Sequence, residues 1–178
     1  KLRKYQEIGY SWLNQMTDLE LGACLADDMG LGKTVQIIAF LEYQRIEKGG
    51  KALLILPTSL IGNWEKEIEK FAPELPYQIL HKSIAKNSDG MKINEDKFLY
   101  ITTYKMVSKI EDLKTRKWNY MILDEAQAIK NPGTKQTKEI KSIKAKVRIA
   151  MTGTPIENKL GDLWSLFDFL NPGLLGSP

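Results

Sequence analysis

The sequence predicts a three-layer α/β domain, a mainly parallel sheet with helices on both faces. Short apolar runs alternate with helical patterns along nearly all of the 178 residues. The runs ALLIL at 52–56 and YMIL at 120–123 are apolar at every position. Strands that bury both faces belong to parallel sheets covered on both sides. Polar residues follow these runs, Thr58-Ser59 after Pro57 and Asp124-Glu125, at the strand carboxyl ends where open parallel sheets bind ligands.

The elements follow in order. Tyr5, Ile8, Trp12, Leu13 and Met16 recur on one helical face, which predicts a helix packed through that face. Gly22 to Ala26 reads as a short buried strand, and Thr34 to Glu47 as a helix apolar on most sides and so deeply packed. Ala52 to Leu56 is a strand stopped by Pro57. Leu60, Ile61, Trp64, Ile68 and Phe71 form an amphipathic stripe, with Glu65, Lys66, Glu69 and Lys70 facing away. Tyr77 to Leu80 and Phe98 to Ile101 read as strands, with a polar surface excursion over 83–96 between them and a helix from about Tyr104. Tyr120 to Leu123 and Val147 to Met151 complete the sheet. A last helix carries Leu160, Leu163, Trp164, Phe167 and Leu170.

Composition bounds the class. The length suits one domain with a sizeable core. Hydrophobic residues at 43% and charged residues at 27% are ordinary for a globular chain. No apolar run reaches the roughly eighteen residues a membrane helix needs. The start, KLRKYQEIGYSWL, has no signal-peptide core and no initiating methionine, so a piece of a longer protein is expected. Cys24, the single cysteine, excludes an internal disulfide and a multi-cysteine zinc site. It reads as a small buried hydrophobe and fits a reducing intracellular compartment. His81, the single histidine, lacks partners for a metal site. The net charge of +4 permits a polyanion partner without requiring one.

Three turns carry chemistry. The loop after the first strand is Asp27-Asp28-Met29-Gly30-Leu31-Gly32-Lys33-Thr34. Its backbone N–H groups can wrap a phosphate where Gly30 and Gly32 allow close approach, and the following helix adds its positive end. Lys33 would reach the β- and γ-phosphates, and the Thr34 hydroxyl would hold magnesium. At the end of the strand YMIL stand Asp124 and Glu125. A strand-end Asp beside a phosphate loop can hold the same magnesium, and the next Glu can orient or deprotonate an attacking water. After the strand at 147–151 comes Thr152-Gly153-Thr154-Pro155, whose hydroxyls can bond to a neighbouring acidic motif. Taken alone, that segment is an ordinary Gly-Pro turn.

Together and in this order, these motifs resemble the nucleotide-binding half of a superfamily-two helicase. More narrowly, they resemble the Swi/Snf-type DNA-translocase ATPases and their bacterial relatives. The resemblance covers nearly the whole chain. LRKYQEIGYSWL is similar to that family's adenine-recognition segment, with Gln6 as the base reader. ADDMGLGKT is similar to its phosphate loop, where an acidic residue regularly stands at the position of Asp27. The nucleotide-binding residues would be Gln6, Asp28, Met29, Gly30, Leu31, Gly32, Lys33 and Thr34. LPTSLIGNWEKEI resembles the family's first DNA-contact motif, and DEAQ its magnesium and water motif. TGTPIENKLGDLWSLFDFLNP resembles its coupling motif and trailing helix.

The resemblance implies a RecA-like P-loop lobe spanning 1–178. Lys33, Asp124 and Glu125 would act in catalysis, and Thr34 and Asp124 on the metal. Gln127, Thr152 and Thr154 would couple the site to motion, although DEAQ in place of the commoner DEAH puts the hydrogen bonds of Gln127 in question. Thr58, Ser59, Asn63, Thr102 and Thr103 would touch duplex DNA independently of base sequence. Lys135, Lys138 and Lys141 recur every three residues and make either a basic stripe or a solvated helix face. Trp12, Trp64 and Trp164 sit on apolar faces and suit core packing.

The expected cofactors are ATP and magnesium, and the partners duplex DNA and a second RecA-like lobe of the same parent, with no membrane. That second lobe would carry the arginines that complete the ATP site, so this lobe alone should bind ATP better than it hydrolyses it. The expected location is the bacterial cytoplasm with its nucleoid, or the nucleus in a eukaryote. Two other readings stay open: the lobe of a DEAH-type RNA helicase, and a silent lobe serving as a scaffold.

Overall fold

The computed structural model describes residues 2–26, 32–81, 92–153 and 160–176. Asp28, Met29, Gly30, Leu31 and Thr154, all expected in the site, lie outside the described residues.

Six strands form one parallel sheet: β1 (Ala23–Leu25), β2 (Ala52–Leu56), β3 (Tyr77–Leu80), β4 (Leu99–Thr103), β5 (Lys117–Leu123) and β6 (Lys144–Met151). Their order across the sheet is β1-β6-β5-β2-β4-β3, every pair parallel. All carboxyl ends therefore open on one edge. The chain runs from β2 out to β3, then crosses back to lay β5 and β6 between β2 and β1. The carboxyl ends of β1 and β5 thus flank that of β6.

The helices are α1 (Lys4–Asp18), α2 (Lys33–Glu47), α3 (Ile61–Phe71), α4 (Asp112–Thr115), α5 (Lys135–Ser142) and α6 (Leu160–Leu170). Alternate side chains of each strand feed two cores, as the two-residue repeat requires. Ala52, Leu54 and Leu56 join Leu13, Phe40, Leu41, Trp64 and Ile68 on the face covered by α1, α2 and α3. Leu53 and Ile55 join Leu113, Ile140, Leu166 and Phe169 on the face covered by α4, α5 and α6. The doubly apolar strands are buried as expected: all five residues of β2 have 0% exposure.

Two helices bury a different face from the expected one. In α1, Tyr5, Ile8 and Trp12 are exposed, and Gln6 and Leu13 are buried. The reason lies at Gly9, where a Cβ would stand 2.0 Å from Oε1 of Gln36 on α2. A missing side chain there lets the helices approach along the Gln6–Gly9–Leu13 line. In α6, Leu160 and Phe167 are exposed, whereas Ser165, Leu166, Phe169 and Leu170 are buried. Ser165 is accommodated because its hydroxyl donates to the carbonyl of Ile129 at 2.6 Å. A third departure follows β4. The helix expected from Tyr104 is instead a turn, a 3-10 segment at Val107–Lys109 and the single turn of α4.

Candidate functional site

The carboxyl edge of the sheet gathers the chemical residues. Gly32, Lys33 and Thr34 from the start of α2, Leu60 from the β2–α3 connection, Asn63 from the first turn of α3, Asp124 and Glu125 after β5, and Met151 ending β6 line one cavity of about 300 Å³. The topology causes this convergence, because β6 lies between β1 and β5 and the carboxyl ends of all three strands share one edge.

Gly32 adopts φ 74 and ψ 39 as it enters α2, a left-handed conformation natural to glycine. A Cβ built there would fall 2.3 Å from Nε2 of Gln6. The sequence places these two residues 26 positions apart; the fold presses Gln6, 8% exposed, against the phosphate-loop exit. Oε1 of Gln6 accepts the Arg3 backbone N–H at 2.9 Å. It thereby caps α1, and the cap fixes the amide's direction. A glutamine amide carries an NH2 donor group and a carbonyl oxygen with a second lone pair beyond the one Arg3 uses, the kind of edge that adenine's N7 and N6 complement.

Asp124 is 7% exposed. Its Oδ2 accepts the Trp64 indole N–H at 2.7 Å and its Oδ1 the Glu125 amide at 2.8 Å. Burial pushes its carboxyl above the usual aspartate range; the bonds from Trp64 and Glu125 and the charge of Lys33 pull in the other direction. Glu125 itself stands at φ 51, ψ 54. For a residue with a Cβ this left-handed backbone stores roughly 1–3 kcal/mol, a kind of strain that clusters at functional sites.

Gln127 ties the second and third motifs together. Its Nε2 donates to Glu125 Oε2 at 2.5 Å, and its Oε1 accepts the Thr152 hydroxyl at 3.1 Å. DEAQ thus keeps a bridge from the strand-end glutamate to the end of β6.

The DNA candidates divide. Thr58 and Ser59 are exposed on the turn after β2. Asn63 is exposed too, but it lines the cavity beside Thr34 and Asp124. Thr102 and Thr103 are buried, at 0% and 1% exposure. The Thr102 hydroxyl donates to the Leu80 carbonyl at 3.0 Å. The expected hydroxyl contacts from these two therefore do not fit the structure, since both side chains point into the protein. The lysine stripe also shortens. Lys135 and Lys138 are exposed, but Lys141 bonds Asp168 at 2.8 Å and lies 4.9 Å from the Trp164 ring.

Sequence reasoning missed two groups. Trp64 was expected only to pack, and Tyr104 was expected to open a helix. Instead the Tyr104 hydroxyl donates to the Asp124 carbonyl at 2.7 Å. The only signal available was their position, each one residue past a residue expected on DNA, Asn63 and Thr103.

The donor set suits magnesium. No cluster of three or more His, Cys, Asp or Glu exists among the described residues. Magnesium ordinarily takes one or two carboxylates and completes its shell with substrate phosphates and water. Asp124 and Thr34 on one cavity wall provide that kind of partial shell.

The SNF2-related domain family matches residues 5–178. The chain belongs to this family. Among SNF2-related structures, the Sulfolobus solfataricus SWI2/SNF2 ATPase core in complex with dsDNA superposes with a TM-score of 0.92 at 50% identity, over 99% of this chain and 37% of that one. The same core without DNA gives 0.88, also at 50% identity, over 99% of this chain and 36% of that one. YwqA of Bacillus subtilis (strain 168), named as a candidate ATP-dependent helicase/translocase, is 42% identical over 99% of this chain and 20% of its own length. The chain thus spans about a fifth of that relative. The six-stranded parallel sheet is the RecA-like fold of the SNF2-related ATPase core.

Proposed function

We propose that this chain is the first, ATP-binding lobe of a Swi/Snf-type DNA-dependent ATPase that moves along duplex DNA and remodels protein–DNA complexes. One observation carries the reading. Lys33, Thr34, Asp124 and Glu125 come from distant stretches of sequence and meet on one cavity at the carboxyl edge of the sheet.

Lys33 would offset the charge of the β- and γ-phosphates as an ammonium at the start of α2. Gln6 would read the adenine edge. Thr34 and Asp124 would hold magnesium, which when bound neutralises charge on the phosphates. Glu125, steadied by the Gln127 amide, would orient the attacking water and take its proton. Through Gln127 and Thr152, displacement at Glu125 reaches the end of β6. The remainder of such a core would supply the second lobe and its arginines, and closure of the two lobes would move DNA. Thr58 and Ser59 would meet DNA phosphates by hydrogen bonds, which carry no sequence information. Such a motor works where DNA is, in a bacterial cytoplasm or a nucleus. The likeness to a core bound to dsDNA supports duplex DNA over RNA as the track.

Calorimetric titration of the 178-residue chain with ATP and magnesium tests the reading. Lys33→Ala should bind ATP far more weakly with its melting temperature unchanged, because Lys33 lies at the cavity and outside both apolar cores. Equal affinity in the two proteins would overturn the assignment.

A further inference from the structure

Asp124 receives one hydrogen bond from each of two aromatic residues, and each of these adjoins a segment expected at the DNA track. Trp64 follows Asn63 on α3, is 0% exposed, and donates to Asp124 Oδ2 at 2.7 Å. Tyr104 follows Thr103 at the end of β4, is 7% exposed, and donates to the Asp124 carbonyl at 2.7 Å. A buried indole or phenol needs a partner, and any nearby backbone carbonyl would have sufficed. Trp118 and Tyr100 follow that ordinary pattern, donating to the carbonyls of Leu113 and of Asn94 and Lys97. Trp64 instead donates to a carboxylate; Tyr104 keeps the ordinary pattern, but the carbonyl it takes belongs to the same residue.

The arrangement fixes the carboxylate. Oδ1 is held by the Glu125 amide and Oδ2 by the indole. A carboxylate has about four lone-pair positions, so positions remain open toward the cavity that Asp124 lines. The Tyr104 bond anchors the backbone from which the carboxylate projects. Carboxylates that ligate metals are themselves hydrogen-bonded, and those outer partners set their orientation.

Building on the ATP-site reading, we propose that Trp64 and Tyr104 are positioning residues that aim the Asp124 carboxylate at the metal. They tie it to the first turns of α3 after β2 and to the end of β4. Neither touches substrate; both act through Asp124.

The test uses the 178-residue chain with manganese as a paramagnetic stand-in for magnesium. Electron paramagnetic resonance measures the half-saturating manganese concentration in the presence of ATP, and calorimetry in chelator measures metal-free ATP affinity. The proteins are wild type, Trp64→Phe, Tyr104→Phe and Asp124→Asn. Each Phe variant keeps an aromatic ring and loses the donor. Trp64→Phe should raise the half-saturating concentration roughly 10–100-fold, the usual consequence of losing an outer partner. Tyr104→Phe should raise it less, in the same direction. Metal-free ATP affinity should not move, whereas a merely structural defect would lower both. Wild-type manganese binding in both Phe variants, with Asp124→Asn impaired, would overturn the proposal while leaving the ATP-site reading intact. Should Trp64→Phe fail to fold by circular dichroism, Tyr104→Phe decides alone, and wild-type manganese binding in it overturns the proposal. Absence of any metal-dependent ATP binding in the wild type would overturn the ATP-site reading, and this proposal with it.

Discussion

Gly32→Ala should disturb the fold and the base preference together. Gly32 sits at φ 74, where a residue with a Cβ loses about 1–2 kcal/mol. Part of that is offset by the stiffer unfolded chain, worth about 0.4–1 kcal/mol. The new methyl would also stand 2.3 Å from Nε2 of Gln6. That nitrogen is the end of a flexible side chain, so the amide swings away instead of the backbone moving. Swinging breaks the bond from the Arg3 N–H to Gln6 Oε1, and losing a helix cap costs about 0.5–2 kcal/mol. The sum is about 1–3 kcal/mol, or a fall of about 2–12 °C in melting temperature for a domain of this size. Scanning calorimetry measures the fall, and titrations with ATP and GTP measure base preference, which should weaken as the amide turns. In the Gln6→Ala background the same glycine change should cost less, leaving a coupling of about 0.5–2 kcal/mol. Strictly additive effects, or an unchanged ATP preference in Gly32→Ala, would refute the claimed contact.

Three further outcomes are expected. Arg148 is 8% exposed and donates to the carbonyls of Lys141, Ile143 and Phe169, so Arg148→Met should lower stability by roughly 2–6 kcal/mol, the two fully buried acceptors, Ile143 and Phe169, costing about 1–3 each; denaturant melts that coincide with wild type would contradict it. Replacing Lys135 and Lys138 together with Ala should flatten the salt dependence of duplex binding in fluorescence anisotropy if this exposed pair meets phosphates, and Lys141→Ala should leave the slope alone, being engaged with Asp168; a slope moved by Lys141→Ala alone would reverse that assignment. The 178-residue chain should hydrolyse ATP near background with or without DNA, since an arginine supplied by the partner lobe is worth about 10³–10⁵ in turnover in related systems; robust DNA-stimulated turnover in a phosphate-release assay would contradict the two-lobe reading.

The sheet was legible in the sequence because its strands are apolar on both faces, and β2 and β3 have the expected bounds, Ala52–Leu56 and Tyr77–Leu80. The residues expected to act on ATP stood out because each lies just past an expected strand, and Lys33, Thr34, Asp124 and Glu125 do line one cavity. The helix faces were harder. Asn14 accepts from Gln44 at 2.7 Å and Gln44 accepts from Tyr120 at 2.9 Å, so the inner face of α1 contains polar residues whose partners lie far along the chain. Periodicity counts apolar residues and passes over a face made of Gln6, Gly9 and Asn14. The resemblance put Thr102 and Thr103 at DNA, but β4 lies between β2 and β3, and its last residues are covered. The role of Trp64 was hidden for a related reason. A tryptophan on an apolar stripe reads as packing, and the acceptor of its N–H is 60 residues away.

In the proposed reading this lobe binds ATP and delivers Glu125 to a water, with hydrolysis driven by DNA. The most direct test of that reading is DNA-stimulated ATP hydrolysis by the chain joined to its second lobe, measured with wild type and Glu125→Gln. The wild type should turn over ATP faster as duplex of any sequence is added. Glu125→Gln should still bind ATP, because the amide keeps the shape, and should lose most of the hydrolysis, because it cannot take the proton. Turnover indifferent to duplex DNA, or undiminished in Glu125→Gln, would contradict the account.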